Sequence, residues 1–467
     1  MKRIVIESLV LSQKTAIVED DKLVELLIED NTNEKIVSNI YRGVVKNIKP
    51  GIEAGFVDIG LEKLAYLPLG KNKDIKAGQD IMVQINKEGI GTKGPKLNLE
   101  ISLAGRYLVY IPSNDRATMS NKITEEKERF RLKKIINTIN KENLGLIVRT
   151  EAQGCTLEEL KRDLEELKVK YEVICKEFKL GIGPKLLHKE LDFASKYIKD
   201  NVNEYVDQII VNNEDKYDEL KLILKSINKE YINKLVLEKN KDVFDLYKVQ
   251  SQIEKFLNKK VWLKSGGYLI IEKTEAMTVI DVNTGKFTGS IKLEETVYKT
   301  NLEAANEIAR QLRLRDIGGI IIIDFIDMHK KQYKEELLKT LDIELKKDKR
   351  KSEVLGMTRL GLVEVARRRD KNSVDSYYLG NCPICKENSY VKSVNFIIDN
   401  IEKEIMRISE HTYYKKVTLE LNKEVYKEIN QKWKNILDTI RQKYDIIIEP
   451  TCSNCISYEK INIIYNT

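Results

Sequence analysis

The chain has 467 residues, 33% of them charged and 42% hydrophobic, with 81 Lys and Arg against 73 Asp and Glu for a formal net charge of +8. That length supports roughly two to four domains, and the balance of charge and hydrophobicity excludes a disordered chain. The opening MKRIVIESLV is charged and strand-like rather than a cleavable apolar leader, and the IIII run at 320–323 is far too short to span a bilayer, so a cytoplasmic protein is expected. The positive excess is modest; for a polyanion partner, clustered lysines matter more than the total.

Residues 1–35 alternate short strands and turns, with IVIES, KTAIVED and KLVELLIED as strands. From Ile40 the texture changes to short strands at Tyr41–Ile48, Gly55–Ile59, Lys63–Leu69 and Asp80–Asn86, separated by Gly, Pro and Lys. Such a succession predicts a small barrel of the oligonucleotide-binding type. Phe56 and Tyr66 either stack on bases from its outer face or fill its core. Lys87 and Lys93, near or in the loop KEGIGTKGPK, would supply phosphate contacts in the first case.

Two Lys- and Glu-rich helical patterns in 122–171 flank the strand LGLIVRT, which ends on Arg149 and Thr150. An arginine there offers bidentate contacts to phosphate, or is simply solvated. Residues 190–257 read as mixed helix and strand, closing on VQSQIEKFLNK.

Chemistry concentrates in MTVIDVNTGK at 277–286 and GGIIIIDFIDM at 318–328, two hydrophobic strand-like runs that end on Asp281 and Asp324. Between them Leu302–Arg315 is an amphipathic helix, with Ala305, Ile308, Ala309 and Leu312 on one stripe and Arg310, Arg313 and Arg315 outside it. A strand–helix–strand unit could bring both carboxylates to one end of a sheet, where a divalent cation would offset their repulsion; otherwise each merely ends a strand. Asn283 could orient a carboxylate or touch substrate. Further on, Tyr333–Lys351 reads as a helix ending in KKDKRK, followed by TRLGLVEVARRR at 358–369; these basic clusters line a nucleic-acid channel or form solvated faces.

Six cysteines include two CxxC pairs, Cys382 with Cys385 and Cys452 with Cys455. In a cytosolic chain such pairs point to metal binding or redox chemistry. Cys155 and Cys175 show no paired spacing.

The blocks SGGYLIIEKTEAMTVIDVNTGKFTG, NLEAANEIARQLRLRDIGGIIIIDFIDM and NCPIC, with IYRGVVKNIKPGIEAGFVDIGLEKLAYLPL, SLAGRYLVYIP, GLIVRT and IIIEP, resemble the ribonuclease E/G family over essentially the whole chain. The likeness is greatest to the short ribonuclease G form, since no long disordered C-terminal scaffold is expected. The resemblance implies a multidomain α/β and β architecture. A ribonuclease-H-like subdomain would be formed by 1–37 and 184–256. Inserted into it would be an S1 barrel at 38–105 and a 5′-sensor region at 106–183. A DNase-I-like catalytic subdomain at 257–378, a zinc-link segment at 379–390 and a small C-terminal domain at 391–467 would follow.

Family likeness also assigns roles. Asp281 and Asp324 match the ligands of a catalytic magnesium ion, and Asn283 an asparagine that assists there. Phe56, Tyr66, Lys87 and Lys93 match RNA-contacting positions. Arg149 and Thr150, with backbone groups of Gly105 and Val109, match a pocket for a 5′-monophosphate. Cys382 and Cys385 match a structural zinc pair shared between two subunits of a homodimer, which can assemble to a tetramer; Cys452 and Cys455 depart from the family and open the alternative of a four-cysteine site within one chain. The implied activity is magnesium-dependent cleavage of single-stranded RNA to 5′-monophosphate and 3′-hydroxyl products. It would act in ribosomal RNA processing, messenger RNA decay and transfer RNA processing, favouring 5′-monophosphorylated substrates. A non-catalytic RNA-binding scaffold and a DNA nuclease are the competing classes.

Overall fold

In a computed structural model, residues 1–32, 36–70, 74–89, 93–285, 293–348, 350–368, 374–383, 390–453 and 455–466 are described. The chain forms two compact units, one of residues 33–201 and one of residues 1–32 with 202–467.

The unit of residues 33–201 contains a closed five-stranded barrel of Ile40–Lys49, Ala54–Asp58, Ala65–Pro68, Asp80–Lys87 and Lys96–Asn98. Closure comes from its first strand, which pairs antiparallel with both Ala54–Asp58 and Asp80–Lys87. Val45, Val57, Leu67, Val83, Ile85 and Leu97 alternate inward and fill it. The arrangement is that of an oligonucleotide-binding barrel, with a last strand of three residues that the sequence does not disclose. In the same unit a four-stranded sheet runs in the order Ala117–Met119, Gly145–Val148, Leu108–Ile111, Leu103–Ala104. The helices Glu126–Ile139 and Leu157–Leu180 bury Leu132, Ile136, Leu160 and Leu164 in its core. The second begins with a capping box, Thr156 accepting from the Glu159 N–H and Glu159 from the Thr156 N–H, and it ends at Leu180, past the expected end at 171.

The other unit opens with Lys2–Ser8, Ser12–Glu19 and Lys22–Asp30, hairpin-linked strands whose second turn has Asp20 and Asp21 both at positive φ, as a tight hairpin requires. Gln208–Val211 adds to Lys2–Ser8 in parallel, Arg3 opposite Gln208, and Leu235–Leu237 completes a five-stranded sheet.

A six-stranded sheet carries the two aspartates. Its elements in chain order are β1 (Lys260–Trp262), β2 (Tyr268–Lys273), β3 (Met277–Asn283), α1 (Leu293–Leu314), β4 (Gly319–Asp324), α2 (Lys331–Lys346), β5 (Ser352–Met357) and β6 (Val363–Arg367). The strand order is β1-β2-β3-β4-β6-β5, with β3 and β4 parallel through the crossover helix α1. Val261, Leu269, Ile280, Val282, Ile321, Ile323 and Val365 face a core shared with Ala305, Ile308 and Leu312 of α1 and Leu337 and Leu341 of α2.

Several arginines of this unit are held by its own carboxylates and carbonyls. Arg310 holds Glu307 and the Leu23 carbonyl, Arg313 the Val24 carbonyl, and buried Arg315 the Gln311 side chain and the Asn258 carbonyl. Arg350 pairs with Asp316, and buried Arg367 with Asp316 and Asp348.

At the C-terminal end the helix Val394–His411 packs on a three-stranded sheet of Ile447–Ser453, Lys416–Asn422 and Asn462–Asn466 and on the helices Lys423–Lys432 and Lys434–Tyr444. Its inner face also carries Asp399, Glu402 and Lys403, all buried. Lys14 reaches Asp399 at 2.7 Å and Glu7 at 3.3 Å, and Lys403 reaches Glu7 at 2.9 Å, so an ionic cluster ties the N-terminal sheet to this helix. Among the described residues no helix is long and apolar enough to cross a membrane.

Candidate active site on an open sheet face

Alternation along the strands decides which side chains leave the core. On β3, Thr278, Ile280 and Val282 are buried, which turns Asp281 and Asn283 to the opposite face; on β4, buried Ile321 and Ile323 do the same for Asp324. Asp281 stands directly opposite Asp324 in the parallel register. Alternation fixes the face that both carboxylates share, and the parallel ladder aligns them. Side by side on adjacent strands, the two residues are about 5 Å apart at the backbone.

Asn283 donates from Nδ2 to Asp281 Oδ2 at 2.7 Å, which orients that carboxylate. Among the described residues neither Asp281 nor Asp324 pairs with a Lys or Arg, although Asp281 is half-buried. Two carboxylates and a carboxamide oxygen form an all-oxygen donor set, suited to a hard divalent cation that keeps several of its waters. No cluster of three or more His, Cys, Asp and Glu converges among the described residues, so the protein would supply only part of such a coordination shell.

Close backbone approaches shape the rim. A Cβ on Gly285, at φ +62°, would lie 2.3 Å from the Gly266 carbonyl oxygen, so only glycine lets the chain leave β3 against the β1–β2 turn. Beyond Asp324, Asn301 of α1 grips the Ile326 peptide from both sides: Nδ2 donates to the carbonyl at 2.8 Å and Oδ1 accepts from the N–H at 3.1 Å. Asn301 is fully buried, and sequence reasoning missed it. Its signal was present: position 301 falls on the stripe of Ala305, Ile308 and Leu312, where a polar residue is out of place.

On the barrel, Phe56 and Tyr66 are paired across neighbouring strands outside the buried core cluster, their rings 6.3 Å apart and edge-on. The same cross-strand row continues to Lys96 and Lys87. Lys49 lies over the Phe56 ring at 5.4 Å. Lys87 and Lys93 are exposed; Lys96 and Lys49 are additions that spacing did not flag.

Arg149 is engaged on two sides. Nη1 and Nη2 form a fork with Asp200 at 2.8 and 2.7 Å, and Nη1 also donates to the Gly105 carbonyl at 2.5 Å. Burial opposes its charge, and Asp200 more than offsets that, so its pKa is raised. Asp163 explains the glycine at 105: its carboxylate accepts the N–H groups of Arg106, Tyr107 and Leu108, and a Cβ on Gly105 would sit 2.4 Å from its oxygen. Val109 is flanked by both neighbouring strands, and Thr150 Oγ1 lies 3.2 Å from Ser120 Oγ.

Of the cysteines, Cys382 is half-buried and Cys452 and Cys455 are exposed, while Cys385 lies outside the described residues.

An in-register pair of carboxylates on the open face of an α/β sheet, in a chain that also builds an oligonucleotide-binding barrel, defines a nucleic-acid enzyme. The Ribonuclease E/G family model matches residues 102–370, and the chain belongs to that family. It is 38% identical over 417 residues to Ribonuclease G of Haemophilus influenzae, covering 85% of each chain. It is likewise 38% identical over 422 residues to Ribonuclease G of Escherichia coli K12, covering 86% of each. Against Ribonuclease E of Haemophilus influenzae the identity is 33%, over 96% of this chain and 51% of that protein.

Proposed function

We propose that this chain, an endoribonuclease by family, cuts single-stranded RNA with magnesium held by Asp281 and Asp324, and leaves 5′-monophosphate and 3′-hydroxyl ends. The observation that carries the reading is the in-register pair on β3 and β4, with Asn283 fixing Asp281. When bound, the ion supplies an activated water and neutralises charge on the phosphate. The residues' own work is positional. Asn283 keeps one Asp281 oxygen turned to it, and Asn301 fixes the backbone that follows Asp324. Phe56 and Tyr66 offer stacking faces to unpaired bases, and Lys87, Lys93 and Lys96 a basic border for phosphates.

In this reading the sheet of residues 2–30 with 208–237 is the ribonuclease-H-like part, and 257–378 the DNase-I-like part. Precursor ribosomal RNA, messenger RNA and precursor transfer RNA in the cytoplasm are the substrates. Arg149, Thr150 and the backbone at Gly105 and Val109 receive a 5′-monophosphate. The test is cleavage of a 5′-monophosphorylated single-stranded RNA, with and without magnesium, by wild type, Asp281→Asn and Asp324→Asn. Internal cutting that needs magnesium and is lost in both variants is expected; tight binding without cutting would move the chain to the scaffold class, and equal cutting of the matching DNA to the DNA nucleases.

Zinc completes the proposal as a structural ion of the dimer, held by Cys382 and Cys385 from each of two chains. A second reading has a specific contact in its favour: the Lys392 N–H donates to Glu459 at 2.9 Å, which sets the 390–392 strand beside the segment that follows Cys452 and Cys455. Zinc stoichiometry separates them. A shared site holds half an ion per chain and survives Cys452→Ser with Cys455→Ser; a site within one chain holds one ion and loses it.

A further inference from the structure

The open face that carries the carboxylates also carries aromatic residues with no role so far. In register, Trp262 of β1 stands opposite Tyr268 of β2, and Tyr268 opposite Asn283 of β3. The neighbouring row runs Lys260, Ile270, Asp281 and Asp324. Residues opposite one another share a face, so Trp262, Tyr268 and Lys260 stand on the same side of the sheet as the carboxylates. Val261, Leu263 and Leu269 between them are buried on the other side. From Trp262 to Asn283 is two strand spacings, about 10 Å.

Trp262 is 63% exposed although it is the larger of a ring pair whose centroids are 5.4 Å apart. Lys260 sits against both rings, its Nζ 4.1 Å from the indole centroid and 3.7 Å from the phenol centroid, and among the described residues no carboxylate pairs with it. Uncovered ring surface beside an unneutralised ammonium, set in one row with Asn283, offers what a nucleotide needs: a π-face for the base and a cation for its phosphate.

The geometry points to a base-stacking platform, built by Trp262 and Tyr268 with Lys260, for an unpaired nucleotide flanking the phosphate that is cut. The inference rests on the ribonuclease reading and adds to it a site for bases on the catalytic sheet itself, apart from the barrel. Stacking tolerates any base, so the platform contributes affinity and alignment rather than sequence choice.

The chain has two tryptophans, Trp262 and Trp433, so Trp433→Phe leaves Trp262 as the sole indole reporter. In a full-length Asp281→Asn, Trp433→Phe protein, a short unstructured RNA is titrated while Trp262 emission and the anisotropy of labelled RNA are recorded together. Quenching that saturates with the binding curve, and that an abasic substitution at one position abolishes, is expected. In the same background, Trp262→Ala should weaken binding on the order of tenfold and Trp262→Phe should restore most of it. Unchanged Trp262 emission on RNA that anisotropy shows to be bound, or equal affinity of Trp262→Ala, would overturn the platform and leave the ribonuclease reading intact. If wild type neither binds nor cuts RNA, the ribonuclease reading falls, and the platform with it.

Discussion

Removing Lys14 should cost the fold more than any surface charge. Its side chain is 1% exposed, and Glu7 and Asp399 are both fully buried. Burial alone would depress the lysine, but Asp399 and Glu7 hold its pKa well above the ordinary range, so it stays charged at every pH at which the protein is handled. Lys14→Met keeps most of the volume and deletes the charge. Asp399 retains the Ser12 and Tyr377 hydroxyls at 3.1 and 2.9 Å, and Glu7 retains Lys403, so neither acid is left without partners, yet two buried negative charges then face one cation. Breaking one member out of a buried ionic group costs about 3–5 kcal/mol, a large part of the roughly 5–15 kcal/mol that holds a typical domain. Urea unfolding followed by circular dichroism should show a midpoint lower by roughly 1–2 M. Adding Asp399→Asn to Lys14→Met should cost less than the sum of the single changes, because the charge left behind by the first is removed by the second. An unchanged midpoint for Lys14→Met, or strictly additive losses, would refute the account of the cluster as coupled charges.

Three further outcomes are expected. His188 is held down to about 4 by burial and by Lys170 and Lys199, and its Nε2 has no partner among the described residues. The unfolded chain therefore takes up its proton first, and stability should fall as pH drops from about 6.5 to about 4, with His188→Gln flattening that limb in unfolding titrations. Asp200 occupies the Arg149 fork that a 5′-phosphate would use. Asp200→Asn should raise the kcat/KM ratio for 5′-monophosphorylated over 5′-hydroxyl RNA several-fold; a fall toward unity would mean that Asp200 positions the arginine instead. Asn301→Leu removes both bonds to the Ile326 peptide, and should lower kcat by about tenfold or more with little change in KM. Equal rates would show that the segment after Asp324 needs no such clamp.

How much was legible follows from the length of each signal. The runs MTVIDVN and GIIIID announced themselves because six or seven residues of one pattern outweigh chance, and the helix between them carried its stripe in plain view. Their pairing as neighbours followed from that crossover. Phe56 and Tyr66 could be placed on strands but not on a face, since short barrel strands alternate too few times to decide it. Strands of three residues, Lys96–Asn98 and Lys260–Trp262, carry no period at all, so Lys96 and Trp262 went unassigned. The partners of the helix arginines were hidden for another reason. Charge on a helix face reads as solvated until the carbonyls that accept its hydrogen bonds are known, and those of Leu23, Val24 and Asn258 lie far off in sequence. Asp200 was hidden in the same way, fifty-one residues from Arg149.

The parallel pairing of Arg3 with Gln208 has a consequence for synthesis. The first strands leave the ribosome with one edge of their sheet unmatched, and their partner is made only after some two hundred more residues. At roughly 5–20 residues per second that is a wait of about 10–40 s. Through that interval the growing chain carries an open strand edge able to pair with a neighbouring polypeptide. The intervening residues 33–201 have a closed barrel and a core of their own, and so can mature meanwhile. On a crowded polysome that edge stays open to neighbouring nascent chains until Gln208–Val211 has been made.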